Sequence, residues 1–424
     1  MRRFCLVIGM VLLLSAVGLA AVQKTVTFME VGDAAKMKAF EEYYPIWRQL
    51  HPEIAVEYSP LAYSESFTKI KTMFAAGIPY DVSPMYSPGY DTMFVEANAL
   101  LAMDDLIKRD GITEDDFLPG IFNSWDQFHN GERIALPYGF SGRVLWYNPE
   151  LFDTAGLAYP STSWTDTLWT WADFVSVGKK LTRDINGDAI NDVWGLAGLP
   201  NFFGNLAPFM WGQEIFNADF SEFILNQAAG AATIQRIADL ALVERITPVP
   251  FTTQAPFASG MSAMMIEGAW AMGQARSWDV KWNWAVMPLA DRRVTEITLD
   301  KLYVAKSSNQ DAAWEWAKFL ATNTQAQILY AGQGNGKIPT QKQAAYEWVT
   351  GELAKLYPGL NTEVLLNALP YNVGERLGST MPNWTRILPL LTNAYNRIFT
   401  GQASANQVMN EIKPSIDAIL REMK

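Results

Sequence analysis

The chain has 424 residues, 49% of them hydrophobic and 18% charged, with a formal net charge of −11. This length and composition predict a globular protein of two or three domains, or of two large lobes, each burying its own core. An acidic balance without any basic run argues against nucleic acid or an anionic membrane surface as partner.

Residues 1–21 read as a secretory signal. Arg2 and Arg3 form its positive end, an apolar run follows from Phe4, and small residues at Gly18, Ala20 and Ala21 suit cleavage. A membrane anchor would need ~20 apolar residues, more than this run supplies. Cys5, the single cysteine of the sequence, lies inside the leader, so no disulfide, thiolate nucleophile or cysteine metal site is expected in the mature chain.

Residues 25–29 alternate as a strand and 30–33 form a turn. Met37, Phe40, Tyr44 and Trp47 then recur at helical spacing, with Pro45 a kink or break and His51-Pro52 a stop. A second strand at 54–58, a helix marked by Phe67, Ile70 and Phe74, and a third strand from Tyr80 toward Tyr86 complete a strand–helix–strand–helix–strand run. That order predicts a parallel sheet with right-handed crossovers. Residues 134–139 pass through Pro137 and Gly139 before a separate strand at 143–147. Helices follow at 169–181 and 229–243, while the aromatic, glycine-rich segment 201–212 reads as a loop.

In the stretch 257–276, Gly260 turns the chain and Met264-Met265-Ile266 makes a short buried strand, which Gly268 ends. Trp270 stands at the strand's carboxyl end, the edge at which open α/β sheets bind ligands. An indole there offers a flat apolar face suited to a sugar ring. Residues 282–287 and 302–306 read as strands, and Trp316, Phe319 and Leu320 mark a helix after Asn309. Two further helices close the chain, the first ended by Gly401 and the second carrying Val408, Ile412, Ile416 and Ile419 on one face despite Pro414.

Asp184, Asn186, Asp188 and Asp192, with the Ile190 carbonyl, occupy positions 1, 3, 5, 9 and 7 of a calcium loop. Ala189 stands where the glycine belongs and Gly195 where the bidentate glutamate belongs. The same residues make a turn held by side-chain-to-backbone bonds, so calcium loop and plain turn stay open. The glycine-rich run 331–337 fails the phosphate-loop pattern at Ala331 and Ile338. His51 and His129 are far apart without a partner motif, and no G-x-S-x-G elbow is present, so nothing points to catalysis. Tyr86, Tyr138, Trp211, Trp270 and Trp278 are the aromatics on expected loops at strand ends.

The Phe257-to-Trp270 stretch, with its apolar strand and G-x-W, resembles the signature of family 1 extracellular solute-binding proteins, the maltose-binding-protein-like receptors of carbohydrate ABC importers. The segment LPYGFSGRVLWYNPELF resembles that family's first interlobe crossover, and the strand, amphipathic helix and GxxPT order after residue 302 resembles its second and third. The resemblance implies an α/β fold of two lobes joined by three crossovers, the type II periplasmic-binding-protein arrangement, with a ligand cleft between them. It places residues 22–136 plus 297–340 in the amino-terminal lobe and 137–296 plus 341–424 in the carboxyl-terminal lobe.

By the same resemblance Trp270 matches the stacking tryptophan, and Tyr86 and Ser87 match the loop through which the amino-terminal lobe touches ligand. Glu30 matches a position used for hydroxyls. Asp300 and Arg376 lie in loops turned toward the cleft, and Arg143 is placed to pair with these carboxylates or with an anionic ligand group. Ser141 falls where several sugar binders carry an acid. The implied protein is a periplasmic, monomeric receptor. It takes a small carbohydrate without a required cofactor and passes it to an inner-membrane permease. A receptor for a phosphorylated or anionic polyol is the alternative, and a secreted glycan-acting enzyme a third reading.

Overall fold

The structure, a computed structural model, describes residues 24–32, 34–85, 94–95, 97–124, 128–129, 131–248, 254–333, 337–374 and 383–422. The leader and the loops that hold Tyr86, Ser87 and Arg376 lie outside these residues.

Strand β1 (Lys24–Val31) is followed by helix α1 (Ala34–Leu50), β2 (Ile54–Leu61), α2 (Tyr63–Ala75) and β3 (Val82–Met85). Both β2 and β3 pair with β1 in parallel, as the strand–helix alternation requires. In α1, Ala39, Tyr43 and Trp47 fall four residues apart and are buried, so one stripe of the helix faces the sheet. Pro45 lies inside α1 on its exposed side, where its missing N–H costs least, and the helix runs on past it.

A helix α3 (Asp104–Asp110) and the two-residue strands β4 (Phe128–His129) and β5 (Glu132–Arg133) lead into β6, which runs unbroken from Leu136–Tyr147. The two pieces read from the sequence are therefore one strand. Pro137 is accommodated because the pairing of β6 slips beside it, between Asp300 and Lys301 of the partner strand. Next come α4 (Pro149–Ala155), α5 (Trp171–Leu181), β7 (Trp194–Leu196), α6 (Asn201–Met210) and α7 (Ala228–Leu242). Helix α6 replaces the predicted loop. Phe203, Leu206, Ala207, Phe209 and Met210 are all buried, and a helix covered on every side shows no polar face to reveal its period.

Strands β8 (Ser262–Gly268), β9 (Asn283–Ala285) and β10 (Ile297–Val304), helix α8 (Gln310–Thr322), strand β11 (Ile338–Pro339), and helices α9 (Trp384–Phe399) and α10 (Ala405–Arg421) complete the main elements. The sheet order is β2-β1-β3-β10-β6-β8-β7, with β9 and β11 also pairing β6. No described helix is long and apolar enough to cross a membrane.

Two bodies share this sheet. In the first, Val26, Phe28, Trp47 and Trp316 form a core on one face, and Met29, Ile70, Phe94 and Tyr303 a smaller one on the other. Trp316 of α8 meets Trp47 edge-on at 5.1 Å and Phe28 at 5.5 Å, a favourable geometry for rings. The second body has its own cluster around Trp146, Phe174, Ile234, Met265 and Ile416. Strands β6 and β10 run from one body into the other. In the second body α5 lies directly on β7: a Cβ on Gly195 would fall 2.2 Å from the Gly178 carbonyl oxygen.

On the first body Arg109, then Lys318 and Trp314, hydrogen-bond Asp110, outweigh its partial desolvation and hold its carboxyl well below the usual carboxylate range. The unfolded chain therefore binds more protons in acid, so this stabilisation is complete above about pH 5 and fades as pH falls through the carboxylate range. Asp110→Asn is expected to lower Tm at pH 7 and to match the parent more closely at pH 3. Tm curves of equal separation at both pH values would refute this.

Candidate ligand-binding site

Residues directly opposite each other on antiparallel strands share a face, and alternate residues along a strand share it too. Gly139 pairs with Asp300 and Ser141 with Thr298, and the Arg143 N–H donates to the Glu296 carbonyl at 3.0 Å. These three pairs therefore line one face of the strands that join the two bodies. Its ends carry charge in two groups.

Toward the first body, Asp300 pairs with Lys337, and Glu30 at the carboxyl end of β1 pairs with Lys36 in the first turns of α1. Glu30 and Asp300 are fully buried. Burial lowers the Lys36 ammonium pKa, against the attraction of Glu30. The Tyr43 hydroxyl is pushed well up by burial and then by Glu30. Toward the second body, Arg143 donates through Nε to Glu296 at 2.5 Å, and its guanidinium lies 3.7 Å from Glu267. The same guanidinium sits 3.4 Å above the Phe202 ring and 4.9 Å above that of Trp270, within cation–π reach of both.

Trp270 is half-buried in a one-turn helix that opens as β8 ends. Its ring folds back over Gly268, where a Cβ would lie 2.2 Å from it. A glycine there is what lets the indole lie flat beside Arg143. Between the two charged groups, Ser141 is fully buried and its Oγ has no hydrogen-bond partner among the described residues. Buried hydroxyls are nearly always bonded, so this one has capacity left for a ligand.

Of the residues expected at the site, Glu30, Arg143, Trp270 and Asp300 thus gather on one face, with Ser141 between them. Three others do not join it. Tyr138 is fully buried and its ring stacks on Tyr330 at 4.4 Å in the first body's core, because the slip in β6 turns it toward the helices. Trp211 closes the far end of α6, edge-on to Trp171 at 5.0 Å and under Arg236 at 5.1 Å. Trp278 packs on Trp146 at 5.8 Å and Phe257 at 5.9 Å. Tyr138 is a core residue, and the two half-buried tryptophans pack within the second body.

Lys36, Phe202, Glu267, Glu296 and Lys337 were not singled out from the sequence. The signals were weak: Lys337 ends the glycine-rich run, and Glu267 precedes Gly268.

The opposite face of the joining strands borders a groove of about 1090 Å3, floored by Leu118, Ile121, Ile297, Leu299, Leu366 and Tyr371. Gly142 marks that face, since a Cβ there would meet Ile297 and Leu365. The other face of the same strands carries the candidate ligand chemistry. The charged pairs, the stacked rings and the unbonded serine converge there at the carboxyl ends of β1 and β8.

The acidic loop is a hydrogen-bonded turn. The two Asp184 oxygens accept from the N–H groups of Gly187 (2.7 Å) and Ala189 (2.8 Å). Asn186 and Asp188 each accept from the N–H two residues on, and Asp192 accepts from Ile185 and Asn186. Among the described residues no group of three or more His, Cys, Asp or Glu side chains is arranged to hold a metal ion. Asp184→Ala is expected to lower Tm by a few degrees equally in calcium and in chelator, because it removes two turn bonds. A drop confined to calcium would instead assign an ion to Asp184, Asn186, Asp188, Ile190 and Asp192.

Two α/β bodies, strands passing between them, and a charged aromatic face at the strand ends define a two-lobe binding protein. The chain belongs to the bacterial extracellular solute-binding protein family, whose sequence profile matches residues 27–327. It is 21% identical over 363 residues, 82% of each chain, to the sn-glycerol-3-phosphate-binding periplasmic protein UgpB of Rhizobium meliloti (strain 1021). Among solved structures it is similar to the ABC substrate-binding protein Lmo0181 of Listeria monocytogenes in complex with cycloalternan. The TM-score is 0.79 at 21% identity, covering 94% of this chain and 99% of that one. It is also similar to UgpB of Mycobacterium tuberculosis in complex with glycerophosphocholine, with a TM-score of 0.77 at 17% identity, covering 93% and 98%.

Proposed function

We propose that this chain is the substrate-binding component of a carbohydrate ABC importer. It is exported to the periplasm, acts as a monomer, and delivers a sugar or oligosaccharide to the membrane permease without chemical change. Ligand would dock on one lobe, and contacts from the other would then favour the closed form. The lobes are taken as residues 22–136 plus 297–340 and 137–296 plus 341–424. The clusters around Phe28 and Met29 and the one around Trp146 support this division, with Leu118, Ile121, Ile328 and Ile338 of the first lobe reaching into the second cluster.

The observation that carries the reading is the fully buried Ser141 Oγ, without a bond among the described residues, between two sets of ion pairs and two residues along β6 from Arg143, whose guanidinium lies over the Trp270 ring. Hydroxyl-rich ligands need both donors and acceptors in a dry site with an apolar platform, and this face offers all three. The Listeria neighbour's bound cycloalternan agrees with it. A phosphorylated or anionic polyol is the second reading, favoured by Arg143 and by the ligands of the two glycerophosphate-related proteins.

Thermal shift and titration calorimetry against neutral sugars, oligosaccharides and sugar phosphates test both. A true ligand at 100 times its Kd adds about 2.7 kcal/mol of stability. Absence of any saturable shift across the sugars would overturn the first reading. A turnover assay on the same panel tests the transport role, and product formation would make the chain an enzyme.

A further inference from the structure

We infer that Glu267 and Glu296 are specificity-determining residues that hold Arg143 for neutral hydroxyls and bar phosphate esters from it. The inference rests on the ligand face proposed above and narrows its substrate class.

Arg143 is the cation nearest the aromatic platform, 3.4 Å above Phe202 and 4.9 Å above Trp270. A guanidinium in this position would ordinarily be a strong phosphate site, since its fork matches two phosphate oxygens. Here the Nε side of the fork is already engaged and a second carboxylate stands close by. Nε donates to Glu296, and one terminal nitrogen lies 3.7 Å from Glu267. The three side chains are largely shielded, with exposures of 11%, 20% and 9% for Arg143, Glu296 and Glu267, so solvent screens their charges poorly.

The rest of the face gives no compensating positive charge among the described residues. Lys36 is matched by Glu30 and Lys337 by Asp300. With Arg143 set against two carboxylates, the described residues of this face carry three cations and four anions. A phosphate ester brings up to two negative charges toward these carboxylates and would have to displace Glu296 to engage Nε and a terminal nitrogen together. A neutral hydroxyl meets no such repulsion and can use the remaining guanidinium N–H groups and carboxylate lone pairs. Like charges a few ångströms apart at a poorly screened site exclude a ligand far more strongly than surface charges do.

The test uses the mature full-length chain and calorimetric titration with sn-glycerol 3-phosphate, glucose 6-phosphate and a panel of neutral mono- and oligosaccharides. The parent is expected to show no saturable binding of either phosphate. Glu267→Gln combined with Glu296→Gln keeps the hydrogen-bonding shape and removes both charges, and is expected to gain at least tenfold in affinity for a phosphate ester. Glu296→Gln alone, at the more exposed position, should gain in the same direction and guards against a misfolded double variant. Glu296→Asp, which keeps the charge, should show no gain in affinity for a phosphate ester.

The inference is overturned if a folded Gln variant shows no gain, if Glu296→Asp gains as much as Glu296→Gln, or if the parent binds a phosphate ester more tightly than any sugar. A parent that binds a neutral sugar while the Gln variants gain nothing leaves the transport reading standing and sinks this one. A gain in the variants with no sugar bound by the parent does the reverse.

Discussion

Trp270→Ala is expected to remove saturable ligand binding while leaving the protein folded. Buried tryptophans at binding faces cost about 2–4 kcal/mol on truncation, which is roughly 30- to 1,000-fold in affinity. Trp270 should lie at the upper end, because two losses coincide. Its ring supplies apolar area at the carboxyl end of β8, and it forms one of the two aromatic faces that hold the Arg143 guanidinium. The cost to folding should be much smaller. The ring is half-buried, it packs over Gly268 at the margin of the second body's core and not within it, and Phe202 still covers Arg143. Titration calorimetry and a melting curve on the same sample separate the two effects. Binding within about threefold of the parent would remove Trp270 from the site.

Gly195→Ala should do the opposite, damaging the fold before it touches the ligand. Its Cβ would lie 2.2 Å from the carbonyl oxygen and 2.6 Å from the carbonyl carbon of Gly178. Both are backbone atoms of α5, so no side chain can swing away, and the helix must lift off β7. Overpacking a well-filled core usually costs about 1–3 kcal/mol and more when backbone has to move; we expect at least about 3 kcal/mol. Gly178→Ala meets the Ile246 side chain at 2.8 Å instead. That methyl group can shift, so the loss should be smaller. Chemical denaturation of the two variants decides it, and equal losses would refute the backbone argument.

Much of the architecture was legible in the sequence because strand–helix alternation and one-sided apolar stripes survive in α1, α2, α8 and the last two helices. Where both sides of an element are covered the pattern vanishes, and α6 was missed for that reason. The break read at Pro137 and Gly139 failed for another: a slip in pairing lets a strand carry a proline, and only the partner strand reveals the slip.

Of the candidate site residues, Trp270, Glu30, Asp300 and Arg143 were read from strand ends and from the family's motifs, and the structure brings them to one face. Glu296 was not, because its role follows from lying across from Arg143 after a separation of 153 residues. Arg293 shows the limit most plainly. Its guanidinium donates to the carbonyls of Met287, Ser163, Trp164, Asp166 and Trp169. All five partners are backbone, so no pairing of side chains could announce it. Tyr138 erred the other way, since an aromatic beside a proline and a glycine resembles a loop residue until its stacking on Tyr330 is seen.

The placement of β10 and α8 bears on how the chain acquires its shape. The edge of β3 stays uncovered until β10 pairs with it, and Trp316 reaches Phe28 only once α8 exists. Asp81 binds Thr27 early, yet its contact with Asn309 waits, as does the bond from Asn309 to the Thr25 carbonyl 284 positions away. Closing so long a loop slows folding. A newly made chain should therefore keep its first body open, with an unpaired strand edge, until synthesis has passed residue 322. Nascent chains arrested before and after that point should differ sharply in protease resistance between residues 24 and 85.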